Sequence, residues 1–212
     1  MSESDNETGP ETGRRGYHHG NLRQALVEAA LGLIGEAGPS GFTFAEAARA
    51  AGVSPAAPYR HFKDLDALLS EVARQGFERF TDRLEAALDS GGPSPMRAFE
   101  AVTAAYLAYA RDERAAWSTM FAPGPRQPEV AEAADRAMGV LRRACEGLVR
   151  HLPASNRPPV HMMTYHLWAM AYGITELYGT KDARRSAPIA AEDMLEAGAA
   201  IYLRGLHILP DT

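Results

Sequence analysis

From residue 22 onward the apolar positions of this chain recur every three or four residues, the spacing of one face of an α-helix. Leu22, Ala25, Leu26, Ala29, Ala30 and Leu33 make such a stripe. Gly38-Pro39 stops it, which predicts a first helix over 21–37 with Asn21 as N-cap. A shorter stripe follows in Phe44, Ala47, Ala48 and Ala51, opened by Thr43 with Glu46 three residues on, a capping box. Gly52 stands just after it, where a positive φ is cheap without a Cβ. Val53 is placed to bury between two helices, Ser54 suits the N-cap of a third helix and Pro55 its first position. Pro58 has no N–H to give the Ser54 carbonyl, so this third helix is expected to be short and tight at its start.

Asp64 then caps a long stripe of Leu65, Leu68, Leu69, Val72, Ala73, Phe77, Phe80 and Leu84, running to about Leu88 and stopped by Ser-Gly-Gly-Pro at 90–93. Proline-bearing breaks at 123–128, at 153–159 and around 188 divide the remainder into expected helices near 95–111, 112–121, 128–151, 159–180 and 189–208. No Val/Ile/Thr run alternates with period two, so no sheet is expected, and no repeat of 20–50 residues is present. The expectation is an all-α protein of about nine helices, with a three-helix head and a helical body. Within the head, 43–62 reads as a helix-turn-helix. The small face of Ala47, Ala48 and Ala51 lets a second helix cross closely, and such a second helix can enter a DNA major groove.

Size and charge refine this picture. A chain of 212 residues buries roughly 70% of its unfolded surface, enough for a core without staples. One cysteine, Cys145, rules out an intrachain disulfide framework and fits a reducing cytoplasm. Residues 1–13 are polar and acidic, with no secretory signal pattern. The most apolar stretch, 158–175, contains His161, Thr164, Tyr165 and His166, so it reads as a buried helix and no membrane partner is expected. The net charge of −5 is uneven: residues 1–13 carry −4, residues 14–63 carry +3 and residues 64–212 carry −4. The positive excess therefore coincides with the segment that pattern alone assigns to DNA.

AAGVSPAAPYRHFKDLDALL closely resembles the DNA-binding segment of the TetR/AcrR family of bacterial transcriptional regulators, and YHHGNLRQALVEAALGLIGEAG resembles that family's first helix. Together they span roughly 17–80. The resemblance implies a tail or arm over 1–16, a DNA-binding domain over 17–80 and a regulatory and dimerisation body over 81–212. It implies phosphate contacts for Thr43, Tyr59 and Lys63; capping alone would also explain Thr43. In the displayed segment Ser54, Pro55, Ala56 and Ala57 face the groove, the small apolar residues suiting thymine methyl groups. Arg60 can reach guanine or phosphate. For His61, packing and DNA contact both stay open. Arg14, Arg15 and Tyr17 belong to a basic, aromatic arm that is either a freely moving N-terminus or a contact to backbone or minor groove.

The body carries no recognisable catalytic constellation. His161 and His166 are five apart with no zinc-protease glutamate, Cys145 has no local partner, and no phosphate loop or nucleophile elbow is present. Neither a metal nor another cofactor is expected, and the chain reads as a non-enzyme. Phe99, Tyr106, Trp117, Met120, Phe121, Met163, His166 and Met170 are candidates to line a mainly apolar cavity, with ordinary core packing the alternative for each. The segment LWAMAYG is similar to the W-x-x-x-H-G signature of one branch, with Tyr172 where the histidine would be. Trp168, Tyr172, Tyr178, Leu195, Ala199, Tyr202 and Leu206 are candidates for a two-fold four-helix interface. The expected activity is that of a homodimeric, cytoplasmic, nucleoid-associated regulator on a pseudo-palindromic double-stranded operator. Repression relieved by a small apolar ligand is the first reading. Activation or co-repression is the alternative, and a helical ligand-binding protein or enzyme without DNA binding is the rival from another class.

Overall fold

The structure is a computed structural model that describes residues 22–122, 127–150, 152–178 and 189–209. Arg14, Arg15, Tyr17 and Asn21 lie outside the described residues. The described part contains eight α-helices and two short 3₁₀ turns, and no strand. In chain order these are α1 (Leu22–Ala37), α2 (Phe44–Ala50), the turn Pro58–Arg60, α3 (Leu65–Ser90), α4 (Pro95–Asp112), α5 (Arg114–Met120), α6 (Pro128–Val149), the turn Ala154–Asn156, α7 (Val160–Tyr178) and α8 (Ala191–Gly205).

Two apolar cores share one helix. In the head, Leu26, Val27, Ala30 and Ile34 of α1 pack with Phe42, Ala47, Phe62, Leu68 and Val72. In the body, Ala73, Phe77, Phe80 and Leu84 join α4–α8. The changeover falls between Val72 and Ala73, so α3, about 39 Å long at 1.5 Å per residue, contributes to both cores. Its start is fixed by the Asp64 carboxylate, which accepts from the Ala67 N–H at 2.9 Å.

Gly76 shows why the body grips α3 so closely. A Cβ there would meet Met120 Cγ at 2.9 Å, and the Tyr109 hydroxyl donates to the Gly76 carbonyl at 2.7 Å. Burial pushes the Tyr109 phenol up to about 12. The Phe80 ring packs against Tyr106, Tyr109 and Trp117 with centroids 5.0–5.8 Å apart. At the far end of α3, a Cβ on Gly91 would sit 2.2 Å from the Ala98 Cα, so the turn into α4 closes around a bare backbone.

Candidate nucleic-acid interface and body cavities

The displayed segment begins where α2 ends. Gly52 has φ +72°, in the left-handed region. The Val53 N–H returns to the Ala48 carbonyl at 3.0 Å and ends the helix. The expected short, tight third helix is reduced here to a 3₁₀ turn, and no α-helix forms over 54–62. The Ser54 carbonyl accepts from Ala57 at 3.0 Å, the Ala57 carbonyl from Arg60 at 3.2 Å and the Pro58 carbonyl from both His61 and Phe62 at 2.9 Å. Regular structure is confined to the 3₁₀ turn Pro58–Arg60, whose N-terminal boundary residue is Ala57 rather than Ser54. The physical reason is Pro58, which cannot supply the i to i−4 bond, so the chain tightens to i−3.

Burial then alternates along this turn. Pro58 and Phe62 are buried, whereas Ser54, Pro55, Ala56, Tyr59, Arg60 and Lys63 are exposed, and Ala57 and His61 are half-buried. Tyr59 is 63% exposed, yet its ring stands edge-on to Phe44 with centroids 5.0 Å apart, which limits where its hydroxyl can go. These exposed residues present a hydroxyl, a guanidinium and an ammonium, all donors suited to phosphate oxygens or base edges. Thr43 is also exposed. Its hydroxyl donates to Glu46 at 2.8 Å while accepting from the Glu46 N–H, and its own N–H reaches the Glu46 carboxylate at 2.7 Å. Those bonds, the backbone one first, hold the Glu46 carboxyl below its usual range.

Arg23 is a residue that periodicity did not single out. From the start of α1 its guanidinium lies 4.5 Å above the Phe62 ring and donates to the His61 carbonyl at 3.2 Å and to Glu71 Oε2 at 2.9 Å. Glu71, whose side chain is 9% exposed, also accepts from Arg74 and Gln75. The Arg74 bonds first, then those of Gln75 and Arg23, outweigh its burial and lower its carboxyl to about 2. Arg74 continues to Glu78, which Arg136 of α6 also meets at 3.4 Å. A chain of charge therefore runs from the exposed turn into the body.

Two cavities in the body share part of their walls. The inner one, about 40 Å³, lies between α4, α6, α7 and α8; the outer one, about 330 Å³, opens between α3, α6 and α7. Leu141 and Trp168 line both. Of the residues expected to line a cavity, Phe99 and Tyr106 face the inner one and Phe121 the outer one. Trp117, Met120 and Met163 are instead packed into the core, with the Trp117 indole donating to Glu176 at 2.8 Å. His166 is exposed, its Nδ1 3.1 Å from the Tyr202 hydroxyl. Met170 packs its sulfur against Gly198.

The proposed interface stripe also divides. Leu195 and Ala199 are buried in the subunit's own core, and Trp168, Tyr172, Tyr202 and Leu206 pack half-buried against it. Tyr178 is likewise half-buried. The apolar side chains facing outward are Met162, Tyr165 and Leu177 of α7 and Ile201 of α8. Among the described residues no group of three or more His, Cys, Asp or Glu is placed to hold a metal. No described helix is long and apolar enough to cross a membrane.

Comparison with known proteins follows this division of the molecule. Residues 26–72 match the family model described as bacterial regulatory proteins, tetR family, and residues 99–201 match the tetracyclin repressor-like C-terminal domain. The HTH-type transcriptional regulator BetI of Rhizobium meliloti (strain 1021) is 33% identical over 110 residues, 51% of this chain and 54% of that regulator. The chain thus matches about half the length of this curated relative. A protein with unknown function from Rhodococcus sp. RHA1 is similar in structure with TM-score 0.74 and 28% identity, covering 91% of this chain and 98% of the other. PfmR, a TetR family transcriptional regulator from Thermus thermophilus, shares the fold with TM-score 0.65 and 22% identity, covering 84% and 97%.

Proposed function

Because the chain belongs to the TetR family of bacterial regulatory proteins, we propose that it is a sequence-specific DNA-binding transcriptional regulator, a repressor released from its operator by a small, largely apolar ligand. The observation that carries this reading is the exposed edge of Tyr59, Arg60 and Lys63, held from behind by buried Pro58 and Phe62. A buried anchor with donors on the outside is what a probe for a groove requires. Tyr59, Lys63 and Thr43 take phosphates and set the register; Arg60 reads a base edge. Ser54, Pro55, Ala56 and Ala57 approach the groove floor.

The operator-binding form is a homodimer. The outward apolar residues Met162, Leu177 and Ile201 support pairing of α7 and α8 with their counterparts across a two-fold axis. Two heads then meet successive major grooves of a pseudo-palindrome about 34 Å apart. A ligand in the body that favours another spacing draws the heads away from it. Coupling of about 1–3 kcal/mol changes operator affinity roughly 5- to 150-fold. The protein acts in the cytoplasm, on the nucleoid.

The test is binding to promoter DNA of its own and neighbouring genes over a range of salt. If a dimer neutralises about six phosphates, log affinity against log salt falls with a slope near −5. Binding that is absent, or insensitive to salt, contradicts the reading.

A further inference from the structure

Tyr106 is 1% exposed, and its hydroxyl has no hydrogen-bond partner among the described residues. The Trp168 indole N–H is a neighbour but a donor only, so it leaves the phenolic proton without an acceptor. An unmade bond on a buried hydroxyl is costly and calls for an explanation. Tyr106 lines the inner cavity, and the other polar groups in that wall are already committed or neutral. Thr103 donates to the Phe99 carbonyl at 2.9 Å and Thr164 to the Val160 carbonyl at 2.8 Å. Burial pushes the Cys145 thiol up to about 11, so it is uncharged at neutral pH. Among the described residues, no charged side chain lines this chamber; the Glu176 carboxylate, held by the Trp117 indole at 2.8 Å, acts on Tyr106 from outside the lining and disfavours an anion there.

The outer cavity has a different character. Phe77, Phe80, Phe121, Tyr165 and Trp168 make it aromatic, and Asp135 is the one charged residue among its described lining. Leu141 and Trp168 belong to both walls, and Trp168 stacks on Tyr172 with centroids 5.9 Å apart. We propose that the outer cavity is a vestibule, that Trp168 and Leu141 are the gate, and that the ligand is an uncharged, largely apolar molecule with one accepting oxygen, which the Tyr106 hydroxyl meets in the inner chamber. This identifies the ligand class of the regulator proposed above and rests on that reading. An anion would have to pass Asp135 and then lose its water in a neutral chamber; a cation could rest against the vestibule rings but would be stripped at the inner end.

The experiment uses the full chain and four probes with the same eight-carbon tail: methyl octanoate, octane, octanoate and octyltrimethylammonium. Affinities come from calorimetry, with thermal shift for the hydrocarbon. Methyl octanoate is expected to bind at least about tenfold more tightly than the other three. Tyr106→Phe weakens the ester about tenfold, leaves octane unchanged and melts no lower than the wild type, because the group removed was unpaired. Trp168→Ala speeds association of the ester. Tightest binding of octanoate or octyltrimethylammonium, an ester affinity indifferent to Tyr106→Phe, or no binding by any probe overturns the proposal. Operator release is read separately. Ester binding that depends on Tyr106 but leaves DNA bound upholds the ligand class and refutes the ligand-released repressor.

Discussion

The Arg23 guanidinium donates at 3.2 Å to the main-chain carbonyl of His61, inside the exposed turn, while its other terminal nitrogen holds Glu71 at 2.9 Å. The turn that carries Tyr59 and Arg60 is therefore tied across α1 to the helix shared by both cores. Its guanidinium is committed to His61, Glu71 and the Phe62 ring, so in the proposed DNA complex we expect Arg23 to position the turn rather than to contact DNA.

Arg23→Ala is expected to weaken operator binding by about tenfold, the scale of one charge-assisted hydrogen bond. The salt slope should stay the same, because no phosphate contact is lost. Arg23→Lys should recover a minor part, since an ammonium cannot stack on Phe62 and fork between His61 and Glu71. Fluorescence anisotropy at several salt concentrations separates the two effects. A shallower slope for Arg23→Ala would make Arg23 a direct phosphate contact.

Glu71 gives the fold a pH signature. Its carboxyl is lowered from 4.5 to about 2 in the folded chain. The associated stability is thus fully present above about 4.5 and is lost as the pH falls toward 2. Glu71→Gln should cost roughly 1–3 kcal/mol at neutral pH, as removal of charged hydrogen bonds does, and should flatten the acid limb of stability against pH. Urea unfolding between pH 3 and pH 7 reads both.

Two glycines should respond in opposite directions. Gly91→Ala drives a Cβ to 2.2 Å from the Ala98 Cα, and overpacking against backbone costs about 1–3 kcal/mol or more. Gly139 lies within α6, and a Cβ added there would meet nothing within 4 Å. Gly139→Ala should therefore stabilise by about 0.4–1 kcal/mol. Thermal unfolding of the two variants decides whether the α3–α4 turn is as tight as described.

Much of this architecture is legible in the residue pattern. The capping pair Thr43 and Glu46, the Asp64 cap and the Gly-Pro and Pro breaks mark helix ends to within a few residues of those found. The segment after Ser54 is harder, because its cap and Pro55 signal a helix while Pro58 forbids the bond that would continue one. Arg23 is out of reach for a different reason: its partners are 38 and 48 residues away, and no local spacing reports them. On α7, apolar side chains occur all round the helix, so periodicity does not separate the core face of Met163 and Leu167 from the outward face of Met162, Tyr165 and Leu177. Cavity lining is least legible, since Trp117 and Tyr106 are equally buried aromatics in contact, and only their neighbours distinguish core from chamber wall.

In the proposed complex the turn anchored by Pro58 and Phe62 is the part that reads DNA. The most direct test of that role is operator selection against random sequence with the wild type, Arg60→Ala and Tyr59→Phe. Arg60→Ala is expected to lose preference at one base position of each half-site, worth about 1–3 kcal/mol, whereas Tyr59→Phe weakens every sequence alike. Unchanged selection and unchanged affinity in both variants would contradict it.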